Sequence, residues 1–199
     1  MITHAERAHV GESAASEGST IYQDDRLSTE PGGILRISSS GLALQLEAQS
    51  TLVLRHPANP EAGTTAELAS GTLVFSAAQA GNIIVMADDA LIRPATKSPA
   101  IAHIRVVSRR ELRIYAQRGA LDFSYHGESA TIPEGAAYRV LLDPSEVEAR
   151  MSTEPAQDKK SPTKKPHLGK FVFIAVGVAL GIGIPVLMHA LESPDRPGP

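Results

Sequence analysis

The chain has 199 residues, with no cysteine, no tryptophan and only four phenylalanines and four tyrosines; 19 basic side chains face 22 acidic ones for a formal charge of −3. This length suits one domain with appendages. The absence of cysteine excludes a disulfide framework, an iron–sulfur cluster and a thiolate zinc site, and the near-neutral balance argues against a dedicated nucleic-acid binder.

Residues 1–20 read MITHAERAHVGESAASEGST, polar and partly acidic, with no apolar h-region of the 7–15 residues that a secretory signal needs. They are expected to be a disordered N-terminus with no export function.

From residue 21 to 143 apolar and polar residues alternate with period two, at 34–38, 42–47, 52–55, 71–76, 82–86, 102–107, 111–116, 120–125 and 137–142. Turn signals separate the runs, among them Pro31-Gly32-Gly33, Ser39-Ser40-Gly41, Gln49-Ser50 and Pro57-Ala58-Asn59-Pro60. In Leu112-Arg113-Ile114-Tyr115 and Leu121-Asp122-Phe123-Ser124-Tyr125 the alternation is strict, as on a sheet with one wet and one dry face. The fold expected is all-β: many short, mainly antiparallel strands forming a sandwich or β-roll. No helical pattern interrupts them, which argues against a βαβ unit and its nucleotide-binding turn. Arg36, Arg55, Arg105, Arg113 and Arg139 fall on the polar phase and are expected on a solvated outer face.

Residues 144–170 form a proline- and lysine-rich stretch too polar to bury a core, and read as a disordered linker. Charge divides along the same line: residues 1–150 carry 13 basic and 18 acidic side chains, giving −5, and residues 151–199 carry 6 and 4, giving +2.

Residues 171–191, FVFIAVGVALGIGIPVLMHAL, have no formal charge. As a helix rising about 1.5 Å per residue they match a hydrocarbon core of about 30 Å, and a transmembrane helix, kinked at Pro185, is expected. Lys159, Lys160, Lys164, Lys165 and Lys170 precede the run and Arg196 alone follows it, the asymmetry that determines topology and keeps the preceding side cytoplasmic. With residues 192–199 as a short tail, the layout expected is a tail-anchored, single-pass protein of the inner membrane. Gly177 and Gly181 share one helix face and are candidate helix-packing residues for a homo-oligomer.

The order of signals resembles the FecR-type domain, a β-rich module of bacterial signalling regulators. The resemblance rests on Asp24-Asp25-Arg26-Leu27-Ser28-Thr29-Glu30-Pro31-Gly32-Gly33, Leu44-Gln45-Leu46, Ser50-Thr51-Leu52-Val53-Leu54 and Leu68-Ala69-Ser70-Gly71-Thr72-Leu73-Val74-Phe75. It continues through 114–123, Ile132-Pro133-Glu134-Gly135 and Tyr138-Arg139-Val140. Gly71, Gly119 and Gly135 are expected between strands, where a positive φ suits glycine. The resemblance implies a non-enzymatic sensor or regulatory module that binds another protein and signals through a membrane anchor. It also implies an extracytoplasmic domain, opposite to the side that the lysines favour.

Seven histidines, at 4, 9, 56, 103, 126, 167 and 189, show no ligand spacing, and Asp24-Asp25 and Asp88-Asp89 lack the further oxygens of a calcium loop. Neither Gly-x-Ser-x-Gly nor a phosphate-binding glycine loop occurs. The expectation is therefore no catalytic residue, metal or cofactor, with lipid and another protein as partners. The alternative is a membrane scaffold that self-associates through its transmembrane helix.

Overall fold

The computed structural model describes residues 1–55, 63–78, 83–95, 99–144 and 170–176, and every regular element among them is a strand. In chain order these are β1 (Ile2–Val10), β2 (Ser13–Ala14), β3 (Arg26–Ser39), β4 (Leu42–Leu46), β5 (Thr51–Arg55), β6 (Thr64–Ala77) and β7 (Ile83–Ala87). Then follow β8 (Ala90–Pro94), β9 (Ala100–Ser108), β10 (Glu111–Arg118), β11 (Leu121–Tyr125), β12 (Glu128–Ile132), β13 (Ala137–Leu142) and β14 (Phe171–Ala175).

All fourteen belong to one hydrogen-bonded sheet that doubles back on itself, because the long strands change neighbours part-way along. Residues 26–28 of β3 pair with β5, whereas residues 35–39 pair with β4. The first half of β6 lies between β5 and a parallel β7, and its second half between β4 and β9. One layer therefore runs β12-β11-β8-β7-β6-β5-β3 and the other β14-β13-β10-β9-β6-β4-β3. β1 follows β3 through both layers, across a register shift between Glu6 and Ala8. The sandwich and β-roll expectations thus merge into a folded sheet.

Alternation explains the core. In β11, Leu121, Phe123 and Tyr125 are buried and Asp122 and Ser124 half-buried; in β10, Leu112, Ile114 and Ala116 turn inward the same way. Phe75, Phe123, Leu27, Leu35, Leu46, Leu73, Ile92 and Ile104 are among the largest fully buried side chains.

The fold line needs its own residues. Gly71 has φ +84°, and a Cβ there would stand 2.5 Å from Ser50 Cα and closer still to its Oγ. Ser50, 1% exposed, uses that space: its Oγ accepts the Thr72 N–H at 2.8 Å, its N–H donates to Thr29 Oγ1 at 3.0 Å, and Thr29 Oγ1 donates to Glu47 O at 2.5 Å. Pro31-Gly32-Gly33 and Gly71, expected between strands, are instead bends inside β3 and β6; Gly119 and Gly135 do lie between strands.

Two further expectations are corrected. Residues 1–20 were expected to be disordered, yet they hold β1 and β2, because Ile2 (1% exposed) and Ala8 (5%) dock on β3 although apolar residues are sparse around them. The helix expected over 171–191 does not begin at Phe171: Phe171–Ala175 is a strand paired with β13. A run of Phe-Val-Phe-Ile is aromatic and β-branched, favourable in a sheet, and hydropathy alone does not register that. Residues 177–191 and 192–199, and the linker at 145–169, lie outside the described residues. Among the described residues no helix is long and apolar enough to cross a membrane.

Candidate functional site

The site is the edge where the chain's last described strand is seated. β14 lies antiparallel to β13 with Leu142 opposite Phe171, Val140 opposite Phe173 and Tyr138 opposite Ala175. Alternation turns Phe171 and Phe173 to the core, where they meet Phe123 of the facing layer at ring-centroid distances of 4.9 and 5.3 Å, both edge to face. Tyr138 meets Phe173 at 5.1 Å, and Phe171 and Phe173 lie 5.1 Å apart. All four of Phe171, Val172, Phe173 and Ile174 remain only half-buried.

Lys170 fastens the entry to β14. Its N–H donates to Glu128 Oε2 at 2.9 Å, its Nζ to His126 O at 2.7 Å, and its carbonyl accepts the Asp143 N–H at 2.8 Å. The β11–β12 turn thus contacts the start of β14, and it is tight: His126 (φ 47°) and Gly127 (φ 85°) both take the left-handed conformation of a two-residue hairpin.

Charged groups collect at this end. The Tyr125 hydroxyl donates to Asp143 Oδ2 at 2.6 Å. Burial of the phenol, that bond and the negative charges of Asp143, Asp89 and Asp88 push its pKa to about 12. Asp88 is held above the ordinary carboxylate value by desolvation and by Asp89, against an opposing pull from Arg109. His126 Nε2 lies 3.7 Å from Asp89 Oδ2. Beside the edge, Arg139 grips Glu111 side-on, Nε and Nη2 each 2.7 Å from a carboxylate oxygen, and that hydrogen bonding holds the Glu111 carboxyl below its usual range.

Among the described residues, recesses also open elsewhere. A shallow groove of about 540 Å³ crosses the outer face of β8, β11 and β12, lined by Leu91, Arg93, Asp122, Ser124, Ser129 and Thr131. Within it Arg93 and Asp122 pair at 3.6 Å and the Thr131 hydroxyl donates to Asp122 Oδ1 at 3.4 Å. A smaller one of about 210 Å³ lies among Met1, Ile21, Ile37, Leu42, Leu44 and Leu54. Among the described residues no three histidine, aspartate or glutamate side chains are grouped to hold a metal ion. His4 lies against Glu17 and His9 against Glu30, while His103 is hydrogen-bonded to Gln117.

Of the residues singled out in the sequence, Gly177, Gly181, Lys159, Lys160, Lys164 and Lys165 lie outside the described residues. Lys170 is the exception, and in this structure it is a clamp on the β11–β12 turn as well as a flanking charge. Phe123, Phe171 and Phe173 were not foreseen as a cluster, since nothing local links residues that far apart. The period-two placement of Phe171 and Phe173 was the available signal.

No protein-family model matches the chain. No curated protein matches it. Solved structures similar to it include two crystal structures, at 1.65 and 2.50 Å resolution, of a protein from Parabacteroides distasonis ATCC 8503 provisionally named an anti-sigma factor. The TM-score is 0.48 in both, identity is 12% and 11%, and the likeness covers 58% of this chain and 54% of those chains. The chain thus spans about half the length of the solved chains it matches.

Proposed function

We propose that this chain is a non-enzymatic regulatory module that binds another protein through a sheet edge and is tethered to the inner membrane by its C-terminal apolar run. The observation that carries the reading is the open sheet: among the described residues, β12 and β14 each pair on one side only. An edge strand offers a row of backbone donors and acceptors, the groups an added strand recognises. β12 also borders the groove of Arg93, Asp122 and Thr131, which supplies polar side chains for selectivity. The sequence resemblance to FecR-type domains points to the same class of function.

The tether rests on the uncharged run through residue 191 and on Lys159, Lys160, Lys164, Lys165 and Lys170 before it. That charge distribution supports a β-domain on the cytoplasmic side. Two measurements test the reading. A photo-crosslinking residue at Thr131 should give one discrete adduct in cells, and a smear matching that from exposed Glu12 would refute an edge-specific partner. The β-domain should resist protease added to intact spheroplasts and be cut after permeabilisation; cutting before it would reverse the assigned side.

A further inference from the structure

Residues 171–176 stand in two incompatible readings. As β14 they are paired to β13 and packed on Phe123 and Tyr138. With them docked, the apolar run left for a bilayer is 177–191, fifteen residues, which as a helix reach about 22 Å against a hydrocarbon core of about 30 Å. With them withdrawn the run is twenty-one residues and about 32 Å, a full span. A docked β14 and a full-length span exclude one another.

The attachment is short and one-sided. β14 is five residues long, pairs among the described residues with β13 alone, and keeps Phe171, Val172, Phe173 and Ile174 half-buried and Ala175 exposed. Twenty-five residues, 145–169, separate Lys170 from Pro144, which lies two residues beyond the end of β13, a contour of up to about 85 Å. Withdrawal therefore need not unravel β13.

We propose, resting on the membrane tether above, that residues 171–176 leave β13 when the apolar run enters a bilayer, and that the vacated β13 edge docks an extended partner segment carrying aromatic side chains at alternate positions. The specificity is what Phe171 and Phe173 display: two rings at i and i+2 seated over Phe123 and Tyr138, with backbone pairing from 138 to 142. A partner occupying this edge would be admitted only at the membrane.

The chain has no cysteine, so a Leu141→Cys/Val172→Cys variant places a single thiol pair across the β13–β14 ladder. The full chain is mixed with phosphatidylcholine vesicles, integrated material is selected by resistance to alkaline extraction, and disulfide yield on mild oxidation is compared with that of the vesicle-free chain. Expected is a yield at least tenfold lower in the integrated fraction, and no integration of chain oxidised beforehand. The integrated chain should bind the soluble peptide Lys-Thr-Phe-Thr-Phe-Thr-Lys and not Lys-Thr-Thr-Phe-Phe-Thr-Lys, while the pre-oxidised chain binds neither. Equal disulfide yield in both fractions overturns the exchange and leaves the tether standing. Failure of the reduced chain to integrate removes the tether and the exchange with it. Binding of both peptides alike, or of neither, overturns the docking assignment.

Discussion

Phe123 in β11 and Phe171 in β14 meet edge to face, ring centroids 4.9 Å apart and planes at 74°, so β14 is pinned to the opposite layer as well as to its neighbour β13. The two rings are not equally buried: Phe123 is 0% exposed, whereas Phe171 is half-buried. Phe123→Ala should cost about 4 kcal/mol in urea denaturation of the chain free of vesicles and detergent, and Phe171→Ala about 2 kcal/mol. Equal losses would show that Phe171 is a core residue and β14 no more removable than β11.

The alkaline limit of stability should carry the mark of Tyr125. Its folded pKa of about 12 lies above the ordinary tyrosine value of 10.0, so the stabilisation is complete below pH 10 and is lost as the pH rises through the folded value. Tyr125→Phe removes the Asp143 bond and should cost on the order of 1 kcal/mol at neutral pH. Between pH 10 and about 12 the wild-type chain should lose on the order of 2 kcal/mol relative to the variant. A constant difference across that range would rule out the shifted phenol.

The acid limit has a counterpart in Glu111. Arg139 holds its carboxyl below the ordinary glutamate value of 4.5, so this stabilisation is present above pH 4.5 and fades as the pH falls through the lower folded value. Because Arg139 is 43% exposed, Glu111→Gln should cost only about 1 kcal/mol at pH 7. The gap between wild type and variant should close on acidification, which thermal melts at a series of pH values would follow. A gap that persists to pH 2 would mean that packing, not charge, is what the variant loses.

The fold line gives a steric prediction. Gly71→Ala combines an unfavourable φ of +84° with a Cβ 2.5 Å from Ser50 Cα, and should cost about 3 kcal/mol. Gly127→Ala has a comparable φ of +85° but nothing within 4 Å, and should cost about 1 kcal/mol. Adding Ser50→Gly to the Gly71→Ala variant should not restore stability, since the clash includes the Ser50 backbone. Recovery in the double variant would assign the clash to the hydroxyl alone.

How far the sequence was legible depended on how strongly each strand alternates. β10 and β11 show clear phases, with Leu112 and Ile114, then Leu121, Phe123 and Tyr125, all inward. β12 turns a single large apolar side chain, Ile132, to the core, and β1 has Ile2 with small partners; an edge strand that leans on its neighbour needs no more. β14 failed in the other direction, being apolar on both phases, so its hydropathy resembles a span wherever the residues sit. Lys170 was read by its charge, whereas its carbonyl, its N–H and its Nζ all bond to the sheet in this structure.

Period-two alternation at 34–38, 42–47, 52–55, 71–76, 82–86, 102–107, 111–116, 120–125 and 137–142 was enough, on its own, to locate strands there, because that pattern is local and burial selects it directly, but it left out β8 and β12. The doubling of the sheet at Gly71 and Ser50, and the seat of Phe171 on a ring 48 positions earlier at Phe123, were decided only in three dimensions. Such contacts join segments far apart in the chain, and no short window of sequence contains both partners.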